Sequence, residues 1–232
     1  MIRPSFGRTL LGAALTLALS ALTLLPARAA SAPVITWQSS ITDGASYVFG
    51  TVPAAPTCTA TEDLAPVPCE VTGYATTLGA HVLTATAVAS DGVTTTVETR
   101  AYTVTAWRLK GFYKPVKMTT VNKVKAGSTV PLKFKVYQGA TKRKSTSVVS
   151  TLIAQKVECT TLAPIGAATP VAKDKSGFRL KYKSGAYHQN WKTPKLPKPV
   201  KVKGKKVVVP TCYQVVLTTD DGSTLTANFQ LR

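Results

Sequence analysis

Apolar and polar residues alternate in short runs along much of the chain beyond residue 30. Pro131-Leu132-Lys133-Phe134-Lys135-Val136 is the clearest run: Leu132, Phe134 and Val136 fall on one side, Lys133 and Lys135 on the other. A period of two predicts a β-strand with one buried face. Pro131 has no N–H to give a ladder, so it must start that strand or lie on its edge. Arg179-Leu180-Lys181-Tyr182-Lys183 repeats the pattern, with Leu180 and Tyr182 inward and Arg179, Lys181 and Lys183 outward. Val200-Lys201-Val202-Lys203 repeats it again before Gly204 turns into Lys205-Lys206-Val207. This predicts a protruding hairpin with lysines on its outer face. Residues 215–219 and 224–231 flank Asp220-Asp221-Gly222 as a closing hairpin, with Leu225, Ala227, Phe229 and Leu231 inward.

The earlier part of the chain has shorter runs. Residues 34–37 and 47–50 are β-prone, with an Asp43-Gly44 turn between them. Residues 81–89 and 93–104 are rich in Thr and Val and are joined by Ser90-Asp91-Gly92, a strong hairpin signal. Short strands broken by frequent turn residues predict an all-β fold of two consecutive β-sandwich, Ig-like domains. The boundaries fall at 1–29, a signal peptide; 30–105, the first sandwich; and 106–232, the second. His81-Val82-Leu83-Thr84-Ala85-Thr86-Ala87, the Asp91-Gly92 turn and Tyr102-Thr103-Val104 resemble bacterial Ig-like repeats. Such repeats imply a spacer or a carrier of binding loops.

Arg3 and Arg8 precede an apolar run over residues 10–25, and Pro26-Ala27-Arg28-Ala29 follows. A short apolar core ending in an Ala-x-Ala site predicts export and cleavage after Ala29 rather than a membrane anchor. No lipid-accepting cysteine, LPxTG-type signal or apolar tail is seen, so the expected protein is secreted or envelope-associated, with no transmembrane segment after cleavage. Four cysteines in an exported chain imply two disulfides, which allow three connectivities. One bridge in each half, Cys58 with Cys69 and Cys159 with Cys212, is the simplest. With no C-x-x-C pair, a zinc site is not expected, and neither is any cofactor.

Charge separates the halves sharply. The chain carries a formal net charge of +19. Residues 31–104 hold one base, Arg100, against six acids, whereas residues 105–232 hold 25 bases against four acids. That excess is beyond what solubility needs, and it attracts polyanions.

Trp107-Arg108-Leu109-Lys110-Gly111-Phe112-Tyr113-Lys114-Pro115-Val116, followed by Ala126-Gly127-Ser128-Thr129-Val130-Pro131-Leu132-Lys133-Phe134, resembles the opening of the PxKF domain. The resemblance continues through Tyr187-His188-Gln189-Asn190-Trp191-Lys192-Thr193-Pro194, Thr211-Cys212-Tyr213, Asp221-Gly222-Ser223 and Phe229, and so spans residues 107–232. It implies a secreted or surface module of bacterial proteins and carries no activity with it. The chain departs from the family's usual pattern at Lys114 and Lys117 and in a basic insertion over residues 197–209.

No catalytic constellation is visible. The two histidines, His81 and His188, have no carboxylate nearby in sequence, and no nucleophile elbow, HExxH or phosphate loop occurs. The expected function is therefore non-catalytic: a structural or adhesive protein whose second domain contacts an anionic envelope polymer or acidic polysaccharide. Other surface proteins are further candidate partners. Charge alone leaves nucleic acid open, although no recognition motif for it appears. The candidate contact residues are Lys133, Lys135, Arg179, Lys181, Lys183, Lys201, Lys203, Lys205 and Lys206. A second reading is a carbohydrate-binding module using Tyr187 and Trp191 as an exposed platform, against the plainer reading of core packing. An envelope hydrolase is the weakest of the three. Trp107 is expected to pack between the domains.

Overall fold

The computed structural model describes residues 30–171, 180–197, 200–202, 205–207 and 210–232. The expected signal peptide, Arg179 and Lys203 lie outside the described residues. Among the described residues every long element is a strand, and the one helical turn is a 3-10 segment at Thr146–Val148.

Seven strands lie between residues 34 and 105: β1 (Val34–Gln38), β2 (Ala45–Val48), β3 (Thr57–Glu62), β4 (Ala65–Val67), β5 (Cys69–Thr72), β6 (Gly79–Val88) and β7 (Thr95–Thr105). They make a three-stranded sheet, β1-β3-β4, facing a four-stranded one, β2-β7-β6-β5. The Asp43-Gly44 turn carries the chain from one sheet to the other, so β1 and β2 are not hairpin partners. The apolar filling is thin. Ile35 and Ala60 meet Ala85 and Ala87, and Ile41, Leu83, Tyr102 and Val104 form a second cluster. Alanines bury little area each, and apolar stabilisation scales with area. The Cys58–Cys69 disulfide ties β3 to β5 and therefore one sheet to the other.

Twelve strands follow among the described residues: β8 (Arg108–Gly111), β9 (Asn122–Val124), β10 (Thr129–Gln138), β11 (Thr141–Lys142), β12 (Val149–Val157), β13 (Thr169–Pro170), β14 (Lys181–Lys183), β15 (Ala186–Lys192), β16 (Val200–Val202), β17 (Lys205–Val207), β18 (Thr211–Thr219) and β19 (Thr224–Leu231). The front sheet runs β11-β10-β15-β14, with β8 along the other side of β10; the back sheet runs β13-β12-β18-β19-β9. Between them lies one large core that includes Leu132, Phe134, Val136, Leu152, Tyr187, Trp191, Leu217 and Phe229. Pro131 is the third residue of β10. Its neighbour on one side is β15, while β8 pairs only from Phe134 onward. The proline thus sits where no second ladder needs its missing N–H. The Cys159–Cys212 bridge closes the back sheet beside the Val157–Cys212 pair.

Both sandwiches follow one immunoglobulin-like plan. The opening strand pairs antiparallel in one sheet, β1 with β3 and β8 with β10. The next strand crosses to the other sheet and pairs parallel with the last strand, β2 with β7 and β9 with β19. Each sandwich closes on an antiparallel hairpin, β6–β7 and β18–β19, whose turn contains Asp-Gly. Among the described residues no strand pairing crosses from one sandwich to the other.

The basic hairpin is present as a separate two-stranded sheet of β16 and β17. Its register sets Lys201 opposite Lys206 and Lys205 opposite Val202.

Candidate functional site

The front sheet owes its outer surface to the alternation in β10. Leu132, Phe134 and Val136 are buried without exposure, while Lys133 and Lys135 between them are half-exposed. Antiparallel pairing then carries each outward position across to its neighbours. Lys135 stands opposite Lys110 on β8. Lys133 stands opposite His188 on β15, and His188 opposite Lys181 on β14. Further along β15, Lys192 lies opposite Thr129, and Lys183 lies opposite Ala186. At the other end Tyr137 lies between Arg108 and Lys142.

The five strands of this sheet contain eight lysines and arginines, one histidine and no aspartate or glutamate. Aromatic rings partly fill the place of counter-charges. The Arg108 guanidinium lies 4.5 Å from the Tyr137 ring centroid, with the Lys110 and Lys142 ammonium groups at 5.7 and 6.0 Å. Lys135 lies 5.3 Å from the Tyr113 ring. Such contacts orient cations at a surface without neutralising them.

Two shallow clefts mark the face. One, of about 510 Å³, is lined by Thr129, Lys181, Lys183, His188, Gln189, Asn190 and Lys192. The other, of about 280 Å³, is lined by Tyr113, Lys133, Lys135, Ser184, Ala186 and His188. His188 belongs to both and joins them. Partial burial first, then the positive charges of Lys183 and Lys133, hold its imidazole below the ordinary histidine range; a hydrogen bond to the Lys183 backbone opposes them.

Of the residues singled out from the sequence, Lys133, Lys135, Lys181 and Lys183 come together here. Lys201, Lys205 and Lys206 belong to the separate hairpin. The exposed-platform reading is corrected: Tyr187 is 0% and Trp191 2% exposed. Tyr187 stacks on Phe134 with ring centroids 5.0 Å apart, and its hydroxyl donates to the Ser145 carbonyl at 3.0 Å. Burial first, with Tyr182 adding to it, pushes its phenol up to about 12. Trp191 meets Phe229 at 4.9 Å and Tyr213 at 5.9 Å, edge to face in both cases. Both aromatics are core residues, and neither can receive a sugar.

Arg108, Lys110, Lys142 and Lys192 join the face without having been singled out. Arg108-Leu109-Lys110 alternates as β10 does, and Lys192 keeps step with His188 and Asn190, so the signal was present in the pattern. The expected place of Trp107 is met. Its indole N–H donates to the Phe49 carbonyl at 3.0 Å, across the junction of the two sandwiches. Among the described residues, no group of three or more His, Cys, Asp or Glu could hold a metal ion, and no helix is long and apolar enough to cross a membrane.

No protein-family model and no curated protein matches the sequence. Among solved structures, the fibronectin(III)-like modules of Clostridium thermocellum CbhA share 14% identity at a TM-score of 0.25, over 85% of this chain and 93% of theirs. A titin Ig tandem shares 12% identity at a TM-score of 0.24, over 88% of this chain and 98% of its own. A three-Ig titin fragment shares 10% at 0.26, over 89% of this chain and 66% of its own. Similarity at this level carries no argument about the present chain, whose fold is evident from its own strands.

Proposed function

We propose that this chain is an exported, non-catalytic envelope protein of the PxKF kind, with a structural or adhesive role. In this reading its second sandwich lays a linear anionic envelope polymer or acidic polysaccharide along the outer face of the front sheet. The observation that carries the reading is the one-sided charge of five adjoining strands, which hold eight lysines and arginines and no acid. Two disulfides agree with an oxidising destination.

Neighbouring strands lie about 4.8 Å apart, and outward residues along a strand about 6.8 Å apart. The face is therefore a grid of cations that a flexible polymer can follow with successive charges. Each exposed pair contributes at most about 1 kcal/mol. Several acting together give useful affinity that falls steeply with salt.

Retention on immobilised polyphosphate, between about 50 and 200 mM salt, tests the reading. Replacing Lys133, Lys181, Lys183 and Lys192 with Gln should weaken retention and flatten its salt dependence. Retention on a neutral glucan should stay negligible. An unchanged salt slope in that variant, with loss only on replacing Lys201, Lys205 and Lys206, would move the contact to the hairpin. No retention of the parent protein on any polyanion would end the proposal.

A further inference from the structure

The smaller cleft lies where the lysines of β10 face the turn between β14 and β15. Ser184 and Ala186, at the β14–β15 turn, carry small side chains, so the surface sinks between β10 and β15 to leave about 280 Å³. Its walls are donors. Lys133 and Lys135 stand two residues apart on β10, His188 stands across from Lys133 on β15, and Tyr113 closes the side toward β8. The Tyr113 ring, 5.3 Å from the Lys135 ammonium, steers that lysine.

We propose that this cleft is a subsite for one tetrahedral oxyanion of the bound polymer, a phosphate or sulfate group, and that His188 holds it in the protonated form. The proposal rests on the reading of this face as a polyanion surface. The residues that line it carry two ammonium groups, an imidazole and a phenol. A phosphate or sulfate offers acceptor oxygens in three dimensions, whereas a carboxylate offers two in one plane. The cleft is larger than such a group, which leaves room for the atoms linking it to the chain.

The charged and titratable groups around His188 are Lys133 and Lys135 on β10, Lys181 and Lys183 on β14, Lys192 on its own strand, and Tyr113. All the ionised ones are positive. The free protein therefore resists a further charge on the imidazole, as its lowered protonation range reflects. An oxyanion in the cleft offsets the lysines and pairs with the imidazolium, so binding draws a proton onto His188. By reciprocity, lowering the pH through the histidine range strengthens binding.

The experiment is an NMR pH titration of the full chain with and without saturating sodium sulfate, with ionic strength matched by chloride. Sulfate keeps its double charge throughout the histidine range. His81, the other histidine of the chain, lies in the first sandwich with its ring nitrogen 2.6 Å from the Thr77 carbonyl, and serves as the internal reference. The expected result is a rise of the His188 midpoint by about half a unit or more, equivalent to about threefold tighter binding to the protonated form, with His81 unmoved. Lys133→Gln and Lys135→Gln should each reduce that rise, and Lys123→Gln on β9, away from the face, should preserve it. Parallel shifts of both histidines, or a rise unaffected by Lys133→Gln and Lys135→Gln together, overturns the subsite. If polyphosphate retention persists in that event, only the subsite fails; if it is absent as well, the polyanion reading fails with it.

Discussion

Trp107 and Phe49 meet edge to face where the two sandwiches join, with ring centroids 5.7 Å apart and planes at 80°. The Phe49 carbonyl accepts from the Trp107 indole at 3.0 Å and from the Gln138 amide at 2.8 Å. Phe49 packs against the large core of the second sandwich and also against the Tyr102 cluster of the first. A double-mutant cycle of Phe49→Ala and Trp107→Ala should therefore give a coupling of about 0.5–1.5 kcal/mol in urea unfolding. Strict additivity would mean that the two sandwiches are energetically independent.

Asp221 anchors Trp107 to the β18–β19 turn of its own sandwich. Its carboxylate accepts from the Trp107 N–H and the Thr219 hydroxyl at 2.6 Å each, and from the Ser223 hydroxyl at 2.7 Å and the Ser223 N–H at 3.2 Å. Burial alone would raise its protonation range, but the hydrogen bonds outweigh burial and hold the group below the usual carboxylate range. A carboxyl lowered in the folded state stabilises above its unfolded value and loses that contribution as pH falls through the folded one. Asp221→Asn should cost about 1–3 kcal/mol at neutral pH. It should also make stability less steep below about pH 4, as measured by urea unfolding at a series of pH values.

The first sandwich depends on its disulfide more than its size suggests, because alanines fill much of its interior. In the chain-entropy model the Cys58–Cys69 bridge contributes about 3 kcal/mol and Cys159–Cys212 about 4. Replacing Cys58 and Cys69 by Ser should nevertheless lower the melting temperature of the first sandwich more than replacing Cys159 and Cys212 lowers that of the second. Calorimetry of the two variants checks this; the opposite order would show that the alanine clusters suffice without the bridge.

Gly111 ends β8 with φ +118, and a Cβ there would lie 2.8 Å from the Lys133 carbonyl oxygen and 3.0 Å from the Phe134 Cα. Both contacts are backbone and cannot swing away. Gly111→Ala should destabilise the second sandwich by about 1–3 kcal/mol and weaken the pairing of β8 with β10, seen as faster amide exchange at Tyr113, whose N–H donates to Lys133. A neutral effect would show that β8 can shift without cost.

The strands and their buried faces were legible because alternation is a local property. Leu132, Phe134, Val136, Ala227 and Phe229 all lie in the core their pattern implied. Sheet order was not legible, because it depends on which strands meet. The bond from Trp107 to Asp221 spans 114 residues; from sequence, Asp221 reads as one more turn residue. The basic face was half-legible. Its lysines on β10 and β14 stood out by alternation, but only the pairing of β8 and β15 beside β10 adds Arg108, Lys110 and Lys192. Tyr187 and Trp191 share their side of β15 with buried Gln189, while His188, Asn190 and Lys192 take the other. The same period of two that marked β10 thus separates core from surface there as well.

The outer strands of the front sheet have a consequence for how copies of the chain coexist. Exposed strand edges invite pairing with another chain, and lysine on an edge opposes it. Among the described residues, β8, β11 and β14 border this sheet, and they carry Arg108, Lys110, Lys142, Lys181 and Lys183. A second copy approaching edge to edge meets the same charges with nothing to neutralise them. Charge of one sign along these edges opposes the pairing of one copy's sheet with another's.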